Sequence, residues 1–81
     1  MDALRGFVYR IIYQNTQNTY CVFLVKDYNE EYITCTGRFE APNEGEDVEL
    51  KGRYVEHQKY GFQFDASSIE KLKPDNMGAA R

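Results

Sequence analysis

The sequence contains a single histidine, two cysteines and no CxxC spacing among its 81 residues. Its Cys and His residues therefore form no zinc-binding pattern, and we expect neither a metal nor a cofactor. No apolar run approaches the roughly 20 residues of a membrane-spanning helix, and the amino terminus has no apolar signal-peptide core. We therefore expect a cytoplasmic domain that does not bind a membrane.

The sequence also lacks the pattern of a catalytic site. No GxxxxGK[ST] phosphate-binding loop occurs, so the sequence contains no sign of a nucleotide-driven motor. A catalytic nucleophile needs a neighbouring base. His57 is the single histidine, and its position in a short polar turn between two predicted strands gives little support for such a pair. The thirteen Asp and Glu residues alternate with Lys and Arg or lie in loops, which is typical of a solvated surface. We expect no enzymatic activity from these residues.

The balance of charge argues against a protein that binds mainly through charge. The sequence contains ten Lys and Arg residues and thirteen Asp and Glu residues, which gives a net charge of -3. Proteins that hold nucleic acid by charge usually carry a basic stripe. Any contact with nucleic acid is therefore expected to be weak or local, because the acidic stretches at residues 27–31 and 44–49 repel phosphates.

What the sequence does contain is an alternation of apolar and polar residues with a period of two. Twelve Tyr and Phe residues, with no Trp, also favour strands. The most regular stretch is residues 47–56, which predicts a half-buried strand. Its inward series is Val48, Leu50, Gly52 and Tyr54. Because a glycine occupies the third inward position, we expect close packing there that leaves no room for a side chain.

Five extended segments are predicted, at residues 4–15, 19–26, 32–37, 47–56 and 60–64, the last continuing to about residue 72. The apolar phase of the first segment slips between Val8 and Ile11, which indicates a β-bulge in a long, bent strand. These features predict an all-β, five-stranded Greek-key barrel of the OB type, without the usual helix between strands three and four. An SH3-like barrel is the main alternative, because periodicity alone does not separate the two.

Pairing the second and third strands around a loop at residues 26–31 predicts which side chains face inward. In this register the inward pairs are Leu24 with Ile33, Val22 with Cys35, and Tyr20 with Gly37. Phe23 and Tyr32 then face outward, and Cys21 and Cys35 lie on opposite faces. A disulfide between the two cysteines is therefore sterically excluded, and we expect free thiols in a reducing compartment.

Four segments recur together in a known family: LRGFVYRIIYQN, NTYCVFLV, ITCTGRF and EGEDVELKGRYVEHQKYGFQF. They resemble the amino-terminal domain of the RecD-type DNA helicases of bacteria, the exodeoxyribonuclease V alpha-chain-like, RecD/TraA family. The resemblance covers residues 4–66. The positions that we assign to its structural motif are Gly6, Gly37, Gly45, Gly52, Tyr54, Gly61, Gln63 and Phe64. Tyr54 stands where the family often has Trp, which leaves its packing role intact.

The resemblance implies a non-catalytic accessory domain of an ATP-dependent helicase that moves 5′ to 3′ on single-stranded DNA in repair and recombination. Residues 1–72 are then the OB-like barrel, and residues 73–81 begin a connector to the helicase core. That core is the expected partner. The alternative is a free-standing OB- or SH3-like protein-interaction barrel unrelated to DNA.

Candidate binding residues are expected where OB barrels hold single strands, on strands two and three and beside the loops that join strands one to two and four to five. The candidates for nucleic-acid binding or docking are Phe23, Tyr32, Arg38, His57, Lys59 and Tyr60, flanked by Gln14 and Asn15. Aromatic rings stack on bases, and cations contact phosphates. Phe23 and Tyr32 also fit a cross-strand pair that a neighbouring domain partly covers, so docking is the favoured role and weak DNA contact stays open.

Overall fold

The computed structural model describes residues 1–59 and 61–72. Within them lie five strands and no helix: β1 (Asp2–Asn15), β2 (Tyr20–Asp27), β3 (Tyr32–Gly37), β4 (Asp47–His57) and β5 (Gly61–Lys71). The bounds of β3 are those predicted, and the other strands begin and end within two residues of their predictions. This part of the chain has no helix that could cross a membrane. The predicted connector at residues 73–81 lies outside the described residues.

The strands close into a barrel in the order β1-β2-β3-β5-β4. All neighbouring pairs are antiparallel except β3 and β5, which run parallel. This Greek-key order follows from a meander of β1 to β3 and a loop at residues 38–46 that carries the chain across the barrel to β4, with no helix in it. The predicted OB-type barrel without the usual helix is therefore confirmed.

Two bulges bend β1, so that this one strand pairs with β4 at its start and with β2 along most of its length. The register of β1 against β2 shifts between Val8 and Arg10 and again between Ile11 and Tyr13. The first shift confirms the bulge that the sequence phase predicts, and the second is additional. An extra residue at each bulge leaves two consecutive side chains exposed, so that Arg10 faces outward beside Tyr9, and Tyr13 faces outward beside Ile12.

The core contains the inward side chains of all five strands. They are Leu4, Val8, Cys21, Phe23, Val25, Cys35, Val48, Leu50, Phe64 and Ala66. The predicted register between β2 and β3 is wrong by one residue, because Phe23 lies opposite Cys35 and Lys26 lies opposite Tyr32. Since side chains alternate along a strand, this slip inverts every inward and outward assignment on β2. Phe23 is fully buried, while Tyr20 is on the outer surface.

The turn between β2 and β3 explains the error. One oxygen of the Asp27 carboxylate accepts hydrogen bonds from the backbone N–H groups of Asn29 and Glu31, each 2.9 Å long. The backbone N–H of Asp27 also donates to the carbonyl oxygen of Glu31. These bonds place the first cross-strand pair at Lys26 and Tyr32. Because β2 is apolar on both faces, the turn chemistry and not the alternation decides the register.

Both cysteines are free and buried in the core. They share the inward face, so the predicted placement on opposite faces is wrong, although the expectation of free thiols is confirmed. Burial raises the pKa of Cys35 to about 12 and also raises the pKa of Cys21. At neutral pH both are therefore protonated packing side chains and not nucleophiles.

Gly52 lies opposite Ala66 in the β4–β5 pairing, next to a shift in the register. A Cβ atom at this position would collide with the carbonyl oxygen of Asp65 and lie 2.8 Å from the Cα atom of Ala66. The predicted close packing is therefore confirmed, and the obstacles are backbone atoms that cannot rotate away. We expect Gly52→Val to lower the free energy of unfolding by about 2–3 kcal/mol and the thermal midpoint by roughly 10–20 °C, measured by circular dichroism.

Lys51→Val is the matched control, because it introduces the same side chain at the adjacent, exposed position of β4. Its midpoint should stay within a few degrees of the unsubstituted domain. A midpoint for Gly52→Val equal to that of the control would contradict the packing of β4 against β5 at this point.

Candidate nucleic-acid interface

The outward surface of β1, β2 and β3 forms the candidate interface. The strand register sets the outward side chains of β1 beside those of β2, and those of β2 beside those of β3. The aromatic residues of this surface are Phe7, Tyr9, Tyr13, Tyr20 and Tyr32, and its cations are Arg10, Lys26 and Arg38. We call this set the aromatic face. Smaller side chains lie between them, namely Val22, Leu24, Thr34 and Thr36.

Three rings and one cation cluster near the β2–β3 turn. Tyr9 projects from the first bulge and reaches across β2 to Tyr32, with 4.9 Å between ring centroids and an interplanar angle of 69°. Phe7 meets Tyr9 edge-on at 6.5 Å, and the Lys26 ammonium lies 5.8 Å from the centroid of Tyr32. Tyr9 and Tyr32 are 47% and 51% exposed, so each leaves about half of its surface available to a ligand.

A second aromatic pair lies at the opposite end of β2. The rings of Tyr13 and Tyr20 are 6.2 Å apart, and the Arg38 guanidinium carbon lies 5.8 Å from the centroid of Tyr20. The Asn15 amide donates a hydrogen bond to the Tyr13 hydroxyl at 3.2 Å. Each end of the aromatic face therefore combines a pair of contacting rings with a cation, and exposed rings beside cations are the groups that base stacking and phosphate contact require.

The charges of the domain are unevenly distributed. In β1, β2 and β3, all of which the structure describes, the only carboxylates are Asp2 at the start of β1 and Asp27 at the end of β2. The Asp27 carboxylate is engaged by the turn that it caps. Two carboxylates of other elements reach the edges: Glu44 accepts from the Ile11 N–H at 2.9 Å, and Asp65 accepts from the Thr36 hydroxyl at 3.4 Å. Within these three strands the cations Arg5, Arg10 and Lys26 thus outnumber the two carboxylates, despite the net negative charge of the chain.

Two of the predicted candidates, Tyr32 and Arg38, lie on the aromatic face. Phe23 does not, and its predicted stacking role is wrong because the corrected register buries its ring. Tyr9 and Tyr20 belong to the face but escaped prediction. Tyr9 follows the inward Val8 and faces outward by simple alternation, which was the available signal in the sequence. Tyr20 was missed because the register error had assigned it to the interior.

The other three candidates are His57, Lys59 and Tyr60, of which Tyr60 lies outside the described residues. His57 is the last residue of β4, and its Nδ1 atom accepts a hydrogen bond from the backbone N–H of Lys59 at 3.2 Å. His57 also pairs with Gly61, the first residue of β5. His57 and Lys59 therefore lie at the tip of the β4–β5 hairpin and not on the aromatic face.

Residues 1–74 match the family described as the OB-fold domain of the ATP-dependent DNA helicase YrrC. The chain belongs to this family. The match confirms the resemblance to the amino-terminal domain of RecD-type helicases and places the barrel in a DNA-helicase context. Among the described residues, no group of three or more His, Cys, Asp or Glu residues could hold a metal ion.

The positions assigned to the motif take several structural roles in this YrrC-type OB domain. Gly52 allows the close approach of β5. Gly45 and Gly61 have φ angles of +91° and +79°, a region that side chains disfavour. Phe64 fills the core. The remaining members also lie at or beside strand contacts: Gly6 opposite Asp27 and Val48, Gly37 opposite Cys21 and Ala66, and Gln63 opposite Val55.

The β4–β5 hairpin carries a second exposed aromatic group. The β3–β5 pairing covers only Cys35 to Gly37 and Phe64 to Ala66, so the hairpin extends past the edge of β3. Its inner face bears Tyr54, which meets Phe64 edge-on at 4.9 Å but is 45% exposed, and Phe62, which is 69% exposed. We call the adjoining space of about 590 Å³ the hairpin cleft, lined by Asp27, Asn29, Glu31, Tyr32, Ile33, Tyr54 and Phe62.

The hairpin cleft differs from the aromatic face in charge. Its lining includes the carboxylates of Asp27 and Glu31 and no cation. Partial burial raises the pKa of the Tyr54 phenol, and the nearby negative charges raise it further. The domain therefore presents two exposed aromatic surfaces of opposite electrostatic character, and only the aromatic face suits a polyanion.

Proposed function

We propose that the chain is a non-catalytic accessory domain of a RecD-like, ATP-dependent 5′–3′ DNA helicase, and that its aromatic face contacts single-stranded DNA. The observation that supports this proposal is the composition of that face: five aromatic rings and three cations, with no carboxylate side chain placed among them by β1, β2 or β3. A helicase of this kind acts in DNA repair and recombination.

Base stacking on the rings and phosphate contact by the cations contribute separately to DNA binding on this face. Each base stacked on an aromatic ring contributes about 1–3 kcal/mol, whatever its identity, because every base has a π face. The cations are separated along β2, with Lys26 near one end and Arg38 near the other, so they can contact different phosphates of one strand. With so few cations the contact is weak, as suits a domain that releases DNA while the motor advances.

A second role, docking on the helicase core, is supported by the hairpin cleft. Phe62 exposes most of its ring next to Tyr54, and large exposed aromatic groups commonly mark protein interfaces. The two carboxylates of the cleft suit a segment of the core that carries an apolar side chain beside Lys or Arg. We infer that the hairpin faces the motor while the aromatic face stays open to DNA.

The buried thiols support a cytoplasmic location for this function. Cys21 and Cys35 share the core and remain unbridged. Unbridged core cysteines are the usual state in a reducing compartment, which is also where a chromosomal DNA helicase works.

The test of DNA contact is a titration of the ¹⁵N-labelled domain with octathymidine at several salt concentrations. We expect amide shifts on β1, β2 and β3, centred on Tyr9, Tyr20 and Tyr32. If all three cations contact phosphates, the logarithm of the association constant should fall against the logarithm of salt with a slope of about -2, since each contact on a single strand contributes about -0.7. Between 50 and 200 mM salt the affinity then falls roughly 20-fold.

Two variants sharpen this titration. Lys26→Ala should reduce the magnitude of the slope by about 0.7, because it removes one phosphate contact. Lys51→Ala removes an exposed cation of β4, outside the aromatic face, and should leave the slope unchanged. If millimolar octathymidine produces no shifts, or shifts only in the hairpin, DNA contact by the aromatic face is refuted and docking remains as the role of the domain.

A further inference from the structure

A cavity of about 310 Å³ adjoins the aromatic face at the β1–β2 turn. It lies between that turn and the start of the β3–β4 loop, and it is lined by Gln14, Asn15, Thr16, Thr19, Tyr20, Phe39, Glu40 and Ala41. Tyr20 belongs both to this cavity and to the aromatic face, so a strand lying on the face passes its entrance. The volume is at the lower end of the roughly 300–1,000 Å³ typical of ligand pockets, which suits a single ring system.

The walls of the cavity combine apolar and polar groups. The rings of Tyr20 and Phe39 supply apolar surface for a flat ligand, and Phe39 is itself held against Phe23 in the core at 6.2 Å between centroids. Polar groups come from the Gln14 amide and the Glu40 carboxylate. Within residues 1–59 and 61–72 neither of these side chains takes part in a hydrogen bond or ion pair, so both can bind a ligand.

The turn that forms one wall is fixed by its own hydrogen bonds. The Asn15 side chain accepts from the backbone N–H of Gln17 at 2.9 Å and donates to the Tyr13 hydroxyl. Thr19, which also lines the cavity, has a φ angle of +55°, an uncommon conformation for a β-branched residue. Such strained residues cluster at ligand sites, where the surrounding structure holds them in place. The cavity is therefore shaped before any ligand arrives.

We propose that this cavity holds one base of the bound strand and that it selects cytosine or adenine over thymine. This inference rests on the proposed DNA contact and adds a base preference to it. The Glu40 carboxylate can only accept hydrogen bonds, so it suits the exocyclic amino group of cytosine or adenine. The Gln14 amide can donate to the neighbouring ring nitrogen. Thymine would instead turn its O4 oxygen, an acceptor, toward the carboxylate, which is then left without a donor even where the Gln14 oxygen accepts from the thymine N3–H.

The test compares octathymidine with eight octamers that each carry a single dC at a different position in the dT tract. Fluorescence anisotropy at 50 mM salt gives the affinity of each. We expect the best-placed dC to bind about 5- to 10-fold more tightly than octathymidine, and the corresponding dA octamer to behave similarly. Amide shifts of Glu40 and Ala41 should appear with that octamer and not with octathymidine.

Glu40→Gln is the decisive variant. An amide can present either a donor or an acceptor, so this variant should bind the dC octamer and octathymidine with about equal affinity. Glu30→Gln makes the same change of charge in the exposed β2–β3 turn and should keep the preference. The ratio between octamers is the readout, since removing any carboxylate raises affinity for all of them.

The outcomes separate this inference from the proposal on which it rests. If octathymidine binds with the expected salt dependence but no dC or dA octamer binds more tightly, the base preference is overturned and the aromatic face stands. A preference that survives in Glu40→Gln also overturns it, because the carboxylate is then not the selecting group. If no octamer binds, both proposals fail.

Discussion

The Phe23→Ala domain is expected to lose about 3–5 kcal/mol of its free energy of unfolding. The ring is fully buried, lies opposite Cys35 in the β2–β3 register and packs against Phe39. Removing it leaves a cavity in the middle of a ten-residue core. A domain of this size is stable by roughly 4–12 kcal/mol, so the variant should be partly or wholly unfolded at 25 °C. Urea denaturation followed by circular dichroism measures the loss.

Two further variants keep this prediction decisive even where Phe23→Ala fails to fold. Phe23→Leu retains an apolar side chain and should be destabilised by about 1–1.5 kcal/mol, which leaves a measurable folded state. Tyr32→Ala removes an exposed ring from the same hairpin and should change the stability by less than about 1 kcal/mol. A Phe23→Ala domain with normal stability and weakened DNA binding would contradict the buried position of Phe23. It would support instead the predicted β2–β3 register, in which this ring faces outward.

The strands of this barrel were predictable because their alternation is local. β3 and β4 show one apolar face each, and their bounds and inward residues follow from a period of two. β2 does not, since Cys21, Phe23 and Val25 alternate with Val22 and Leu24, which are apolar as well. Its register depends instead on hydrogen bonds from Asp27 to the turn. A single carboxylate thus decided which of two equally apolar faces entered the core.

The candidate site was predictable only in part, because some of its residues are placed by contacts between distant segments and not by local alternation. Arg38 and Tyr32 follow from the general position of the binding surface in OB barrels, which the resemblance supplied. Arg10 faces outward only because a bulge adds a residue to β1, and the exact residue at which a strand slips depends on pairing with β2 and with the β3–β4 loop. The cavity beside Tyr20 forms between two loops that are distant in the sequence. No local sequence pattern indicates that these loops meet.

The Tyr9→Ala/Tyr32→Ala domain is expected to bind octathymidine at least 30-fold more weakly than the unsubstituted domain. Each ring that stacks a base contributes about 1–3 kcal/mol, so two rings together contribute about 2 kcal/mol at the lower limit, which is roughly 30-fold in affinity. The rings contact each other at 4.9 Å, so the two single substitutions should not be additive. Fluorescence anisotropy on the four proteins of the double-mutant cycle measures both the loss and the coupling.

Salt dependence separates the loss of stacking from a loss of phosphate contacts. The Tyr9→Ala/Tyr32→Ala domain keeps Lys26 and Arg38, so its affinity should fall while its salt slope stays near -2. Tyr28→Ala is the control, because this ring is 71% exposed in the β2–β3 turn yet lies outside the aromatic face. Tyr32 also lines the hairpin cleft, so Tyr9→Ala alone separates the two surfaces. If Tyr9→Ala binds normally and Phe62→Ala abolishes binding, the DNA lies in the hairpin cleft, and DNA contact by the aromatic face is refuted.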